Sequence, residues 1–237
     1  MAFPLISEGN PLLKNHDEYK VPRDKHWSPY MHNGQLYFIY SLDPLRIMAC
    51  DRHSKCSFTH NESGNDYKFE QANDSLRGGT PTLHYKDDYY ITIAHSTLFI
   101  NKTKVDPQLD WKRFYTVNLV VLKVIESNHR VVYLSSPIEF NEKFMSQVPI
   151  VREKYIKHNF LFPVTLLIEN QDNIIIGGHV NDHSSYLFRM SGLSELMRKI
   201  MTGSESLSET GPKPGALHSL TKQQASEQYG FSFHVHD

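Results

Sequence analysis

The residues best suited to chemistry lie between Leu76 and Ser96, where a basic residue and a histidine flank a glycine pair. Arg77 is permanently charged, and Gly78-Gly79 behind it predicts a sharp turn that lets a ligand approach the backbone closely. Pro81 then favours an extended segment. A guanidinium beside such a turn is a common way of building an anion site. The structural alternative is an ordinary inter-strand turn with a solvated arginine.

The rest of this segment predicts a β-hairpin. Thr82 to Tyr85 and Tyr89 to Ala94 are rich in β-formers and flank Lys86-Asp87-Asp88. The second strand delivers His95 at its end, so Arg77 and His95 are expected at the same end of one sheet. The alternative for His95 is a hydrogen-bonded residue at the end of a strand.

A second polar cluster follows a strand that looks buried. Gly177-Gly178 leads into His179, and Asp182 and His183 follow three and four residues later. Histidine and aspartate at a strand end favour hydrogen bonding to a ligand such as a sugar. A metal site ranks lower, because two histidines on a strand-to-turn segment lack the i, i+4 geometry of a helix. No metal is expected.

Two further positions are candidates near the start of the chain. Lys25 precedes His26-Trp27, a cation and an aromatic ring suited to an anion or a stacked sugar. The alternative is an exposed lysine beside a core tryptophan. Asp43 ends a strand before Pro44 and presents a carboxylate at a turn, although aspartate before proline is also a common turn former.

Length and charge exclude several classes. The chain has 237 residues, enough for one large all-β domain or two small ones. The formal net charge of −1 offers no bulk attraction to nucleic acid or to an anionic membrane. No apolar run approaches the roughly 18 residues needed to span a bilayer, and the first residues lack the pattern of a signal peptide. We therefore expect no nucleic-acid partner and no membrane span.

The cysteines and the glycosylation sequons bear on location. Cys50 and Cys56 can close a small disulfide loop, but they fit equally well with free thiols. Sequons begin at Asn61, Asn73 and Asn101, in polar segments that would tolerate a glycan. These features favour the secretory pathway lumen or secretion, with the cytoplasm as the alternative.

The pattern of strands predicts an all-β fold with three repeated units. Residues 1–24 form an irregular lead-in, and Asn33-Gly34 predicts a tight hairpin turn. Strands are predicted at Trp27 to Tyr30, Gln35 to Ser41, Leu45 to Cys50, Ser57 to His60, Thr82 to Tyr85, Tyr89 to His95, Phe114 to Ile125, Arg130 to Phe140, Phe162 to Glu169, Asn173 to His179 and Ser185 to Met190. Three units of three or four strands indicate the blades of a β-propeller, with a sandwich as the alternative.

Helix is predicted only near the end of this region. Ser191 to Met201 has apolar residues at helical spacing and a capping-box-like start at Ser191 or Ser194. Residues 202–237 are rich in Ser, Gly, Pro, Gln and Glu and are predicted to be a disordered tail. The propeller-like domain is therefore expected to span residues 25–201.

These motifs, in this order, resemble the later blades of the five-bladed β-propeller family of β-mannoside phosphorylases and related β-mannosyltransferases. The resemblance covers roughly residues 20–195 and rests on paired motifs. The pairs are Lys25-His26-Trp27-Ser28-Pro29-Tyr30 with Gly34-Gln35-Leu36-Tyr37, Arg77-Gly78-Gly79-Thr80-Pro81 with Tyr90-Ile91-Thr92-Ile93-Ala94-His95, and Asn159-Phe160-Leu161-Phe162-Pro163 with Gly177-Gly178-His179-Val180-Asn181-Asp182.

The resemblance implies glycoside chemistry, namely glycosyl transfer or phosphorolysis of β-mannoside-like glycans without a cofactor. By motif position, Lys25, Arg77 and His95 would hold phosphate or the anionic group of a sugar phosphate. Asp43, Asp182 and His179 would hydrogen-bond the sugar of an oligosaccharide.

The resemblance also places the family's general acid upstream of Lys25, so the N-terminal blade or blades and the catalytic acid are expected to be missing from this chain. The alternative function is a non-catalytic carbohydrate-binding propeller fragment. Open sheet edges would also allow the chain to associate with itself.

Overall fold

The computed structural model describes residues 5–6, 26–42, 44–61, 76–99, 113–150, 159–203 and 235–236. Strands make up most of this part of the chain, which confirms the all-β prediction. The strands are β1 (Leu5–Ile6), β2 (Ser28–His32), β3 (Gln35–Leu42), β4 (Leu45–Cys50), β5 (Lys55–Asn61), β6 (Arg77–Gly78), β7 (Leu83–Lys86), β8 (Tyr89–Phe99), β9 (Arg113–Ile125), β10 (Asn128–Leu134), β11 (Leu161–Ile168), β12 (Ile174–Val180), β13 (Ser184–Met190) and β14 (Val235–His236). The helices are α1 (Glu142–Met145) and α2 (Leu193–Thr202).

The first sheet has the strand order β1-β5-β4-β3-β2. The hairpin between β2 and β3 turns at Asn33 and Gly34, whose φ angles are 49° and 76°. Positive φ at both central residues is what a two-residue hairpin turn of type I′ requires, so the predicted turn is confirmed. Cys50 and Cys56 face each other across β4 and β5 and form a disulfide, the first of the two alternatives that the sequence allows.

The second sheet has the order β10-β9-β8-β6, and β7 also pairs with β8. The third sheet has the order β11-β12-β13-β14. The three predicted groups of strands are therefore three separate sheets. The two-residue strands β1 and β14, which the sequence did not predict, add to the outer edges of the first and third sheets.

The second sheet lies between the other two, and the alternation of side chains along β8 shows why. Ile91 and Ile93 point into a core shared with the third sheet, whereas Tyr90 and Ala94 point into a core shared with the first. Ile91, Ile93 and Ala94 are fully buried. Each fully buried isoleucine contributes roughly 1.5–3 kcal/mol of transfer free energy. A strand buried on both faces favours apolar residues, which explains most of the run Tyr90 to Ala94. The buried hydroxyl of Thr92 is the exception, and it donates to the carbonyl oxygen of Thr80 at 3.2 Å.

The region after β10 differs from the prediction. The strand was expected to continue to Phe140, but it ends at Leu134. The chain keeps contact with β9 through the bonds Ser135 N to Leu119 O (2.9 Å) and Ile138 N to Val117 O (2.7 Å). Pro137 between them has no N–H to donate, which explains why the regular ladder stops.

Helix α1 was not predicted. It is a single turn whose N-terminus is capped by Asn141, because Asn141 Oδ1 accepts from Lys143 N at 2.9 Å.

Helix α2 confirms the predicted helix, but its cap is different. The N-cap is Gly192, with φ of 94° and no side chain to cap with. Asp172, from the turn between β11 and β12, accepts instead from Ser194 N at 3.2 Å and from the Ser194 hydroxyl. The predicted capping box is therefore wrong, because a carboxylate distant in sequence occupies the site that Ser191 or Ser194 would have filled.

Most of the predicted lead-in (1–24) and tail (202–237) lies outside the described residues, and the domain boundaries stay a prediction. No helix in the described part of the chain is long and apolar enough to cross a bilayer.

Candidate functional site

Arg77 and His95 lie side by side on neighbouring strands. They are directly opposite each other in the antiparallel pair of β6 and β8. Residues in such a pair have their Cβ atoms about 4.5–5.5 Å apart, so both side chains reach the same space. The predicted proximity is confirmed. The prediction that His95 ends its strand is wrong, because β8 continues to Phe99. His95 is an interior residue of the strand, with only 3% of its surface exposed.

Gly78 and Gly79 serve close packing and do not form a turn. A Cβ atom on Gly78 would lie 2.1 Å from Ser28 Oγ and 2.8 Å from the carbonyl oxygen of His26. A Cβ atom on Gly79 would lie 2.7 Å from Pro163 Cγ. From β6 to β7 the chain runs on in one direction along β8, and neither glycine has a positive φ, so the predicted sharp turn is wrong. The glycine pair instead lets the first and third sheets touch β6 from either side, and the three sheets meet beside Arg77.

An aromatic cluster occupies this junction. The ring of Phe162 on β11 lies 4.9 Å from the His26 ring and 4.6 Å from the His95 ring, measured between centroids. His179 on β12 stacks on Phe162 at 5.2 Å with 14° between the planes. His26 and His95 also contact each other edge to face at 4.7 Å. Three imidazoles, from the segment before β2, from β8 and from β12, thus surround one phenyl ring.

Asp182 joins the cluster through His179. Its Oδ1 lies 3.2 Å from His179 Nδ1, and 33% and 41% of the His179 and Asp182 side chains are exposed. Both groups can therefore meet a ligand from solvent. The two side chains therefore lie close together, as predicted, while their role in binding a sugar stays a prediction.

Asn181 holds the turn that carries Asp182. It is buried, and its φ of 58° is followed by 53° at Asp182. Asn181 Oδ1 accepts from Phe160 N at 3.1 Å, and its Nδ2 donates to Val148 O at 3.1 Å. The turn is therefore fixed by side-chain bonds to other segments, and Asn181 has a structural role.

Several predicted positions lie outside the described residues, namely Lys25, Asp43, Asn73 and Asn101. Asn61 is described; its Oδ1 accepts from Arg46 Nε at 3.0 Å, and its glycosylation stays a prediction. Sequence reasoning missed His26 and Phe162. His26 stands within the motif singled out for Lys25, and Phe162 stands both in a predicted strand and in the third pair of motifs that carries the resemblance. Neither residue was given a role, so the available signal was membership of a motif.

The arrangement can bind an anion and hydrogen-bond hydroxyl groups. A guanidinium and imidazoles stabilise an oxyanion through charge-assisted bonds, and a carboxylate accepts from sugar hydroxyls. Within the described ranges, no three His, Cys, Asp or Glu side chains are placed to hold a metal ion.

A second cluster of tyrosines and histidines lies between the first and second sheets. His129 is 1% exposed, and its ring lies 5.3 Å from Tyr37 and 6.2 Å from His60. Burial lowers the pKa of His129 to about 4, and His60 and His32 add to the shift, while a contact with the backbone of Ser127 opposes it.

Tyr30, stacked on Tyr37 at 5.2 Å, has a pKa raised by burial and then by Tyr37 and Tyr90. This second cluster is separate from the junction of the three sheets.

The chain is similar to β-mannosyltransferase 6 of Candida albicans (strain SC5314), with 27% identity over 153 residues. The similarity covers 54% of this chain and 22% of the relative, so the chain spans about a fifth of the relative's length. No protein-family model matches the chain, and no solved structure matches it.

Proposed function

We propose that this chain is a carbohydrate-active protein that takes part in the transfer of mannosyl residues. The observation that carries the proposal is the convergence of Arg77, His95 and the pair His179 and Asp182 at the junction of three sheets. The similarity to a β-mannosyltransferase supports the same class of substrate. Phosphorolysis is the second reaction that such a site can serve.

Arg77 and His95 are proposed to bind the anionic group of the donor, which is phosphate or a sugar phosphate. Their direct pairing on β6 and β8 places a guanidinium and an imidazole on one side of the site. Charge-assisted bonds of this kind are about twice as strong as neutral ones. Lys25 is proposed as a third cation, since it directly precedes His26.

His179 and Asp182 are proposed to bind the sugar. Their exposure lets them reach hydroxyl groups, and the 3.2 Å between His179 Nδ1 and Asp182 Oδ1 puts the imidazole and the carboxylate within reach of one ligand. Asp43 is proposed as a further acceptor. The flat face of Phe162 is already stacked on His179, so sugar stacking on that face is unavailable.

We propose further that the three sheets are blades of a β-propeller. Their consecutive packing, with the second sheet between the other two, supports this arrangement. The meeting of β2, β6 and β11 at the glycine pair corresponds to the inner strands of neighbouring blades. A closed propeller needs at least about four blades, so further sheets would complete the ring.

The competing function is carbohydrate binding without catalysis. Asp182 lies beside His179, an arrangement suited to accepting hydrogen bonds from a sugar. The general acid of the resembling family is expected upstream of Lys25. In this case the site would bind a mannoside and leave it unchanged.

Incubation with mannose 1-phosphate and β-mannosides, and separately with phosphate and β-mannosides, tests these functions, with products followed by mass spectrometry. The proposal expects turnover in a version that also carries the general acid, and loss of that turnover in Arg77→Ala and Asp182→Asn. Arg189→Ala is the matched control, because Arg189 is an exposed arginine paired with Glu169 at 2.7 Å. Binding without turnover would favour the competing function, and the absence of both would reject the two together.

The disulfide between Cys50 and Cys56 supports the proposed location in the secretory pathway, since disulfides persist in oxidising compartments. Self-association through sheet edges stays a prediction.

A further inference from the structure

His26 has a backbone conformation that is uncommon for residues other than glycine, although histidine adopts it more often than most. Its φ is 71°, in the left-handed region that L-residues other than glycine adopt rarely. Such conformations cost roughly 1–3 kcal/mol and persist where the surrounding structure enforces them, often at functional sites. The surrounding structure therefore holds His26 in a conformation that the chain alone would rarely adopt.

Contacts from the other two sheets hold His26 in place. Its carbonyl oxygen lies against Gly78, so close that a Cβ atom there would be 2.8 Å away. Its ring contacts His95 at 4.7 Å and Phe162 at 4.9 Å. The side chain is half-buried, so part of it remains open to solvent. The imidazole is thus directed to the side of the junction where Arg77 and His95 meet.

The charged and titratable groups around this position come from each adjoining element. Arg77 lies on β6, His95 on β8, His179 on β12 and Asp182 in the turn after it. A proton on either imidazole of the pair His26 and His95 repels a proton on the other and the charge on Arg77. A bound oxyanion offsets this repulsion, because it attracts the guanidinium of Arg77 and the protonated imidazoles of His26 and His95.

We propose that His26 is a second imidazole of the anion site and that binding of a tetrahedral oxyanion draws a proton onto the pair formed by His26 and His95. This inference rests on the proposed anion site and adds its regulation by pH. The site is filled most readily in mildly acidic surroundings and emptied as the pH rises. Arg77 supplies the charge that does not depend on pH.

The change of anion affinity with pH follows from the coupling between proton uptake and anion binding. An ordinary histidine has a pKa of about 6.5, and a rise of roughly one unit in that pKa on binding raises the affinity about tenfold between pH 8 and pH 5.5. Sulfate is the suitable probe, because its own charge is the same throughout this range. Mannose 1-phosphate, measured alongside, shows whether a sugar phosphate is held by the same groups.

The test measures sulfate affinity by calorimetry at pH 5.5 and pH 8 for the wild type, His26→Asn and Arg77→Ala. Asparagine is chosen because it tolerates positive φ. Exposed His53 supplies the control variant His53→Asn. Repeating the titration at pH 6.5 in buffers with different ionisation enthalpies counts the protons taken up, and thermal melts check that each variant is folded.

The expected result is an affinity about tenfold higher at pH 5.5 in the wild type and in His53→Asn. In His26→Asn the ratio should fall below about threefold, with fewer protons taken up. In Arg77→Ala the affinity should fall at both pH values. An unchanged pH ratio in His26→Asn would overturn the inference while leaving the anion site intact.

Mannoside binding without sulfate binding would overturn the inference and leave a carbohydrate function. Failure to bind either ligand would overturn both.

Discussion

Protonation of His129 should make the protein lose stability as the pH falls from about 6.5 to about 4. The residue is buried between the first and second sheets, where burial lowers its pKa to about 4. Neither ring nitrogen makes a hydrogen bond of good geometry to the described residues. The unfolded chain binds a proton near pH 6.5 while the folded chain does not, so folding is opposed by acid in that interval.

The magnitude follows from the size of the shift. A pKa lowered from 6.5 to about 4 corresponds to about 3 kcal/mol of differential stability. This contribution to the free energy of unfolding is fully present above pH 6.5, declines as the pH falls, and is lost below the pKa of His129 in the folded state. A loss of 3 kcal/mol is a large fraction of the 5–15 kcal/mol that is typical of a folded domain.

Urea unfolding between pH 4 and pH 8, followed by tryptophan fluorescence, measures the effect. Carboxylates also titrate near pH 4, so the informative quantity is the difference between the wild type and His129→Phe. Phenylalanine removes the titrating group and keeps an aromatic ring against Tyr37. The difference in the free energy of unfolding between the wild type and His129→Phe should change by about 3 kcal/mol across this pH range. His53→Gln should follow the wild type. A difference in the free energy of unfolding that does not change with pH would refute the assignment of a neutral buried imidazole.

Three other changes test the site and the fold. Arg77→Ala should lower phosphate affinity about 10- to 100-fold, equivalent to 1.5–3 kcal/mol, and Arg77→Lys should restore only part of it, because an ammonium lacks the planar fork; equal affinities in a calorimetric titration would contradict the anion-site assignment. Gly78→Ala should destabilise the chain by about 1–3 kcal/mol in urea unfolding, since its methyl group would meet Ser28 Oγ and the His26 carbonyl; a neutral result would mean that β2 and β6 separate easily. Replacing both Cys50 and Cys56 with alanine should lower the free energy of unfolding by about 2 kcal/mol, since the closed loop is short; detection of free thiols in the native protein would disprove the disulfide.

The sequence by itself determined the strands, because their signals are local. Alternating β-formers bounded by turn residues predicted nearly every strand, and Asn33-Gly34 predicted the turn between β2 and β3. The nearness of Arg77 and His95 was also predicted correctly, but for an incomplete reason. A hairpin was expected to bring them together, whereas a direct pairing of β6 with β8 does so.

Only the tertiary structure decided which residues complete the site. His26 and Phe162 contact His95 because three sheets pack at the glycine pair, and no periodicity within one sheet reports on its neighbours. The cap of α2 by Asp172 has the same origin, since the carboxylate arrives from a turn about twenty residues earlier in the chain. Local propensity specifies the strands, but contacts between residues far apart in the chain depend on how the sheets pack.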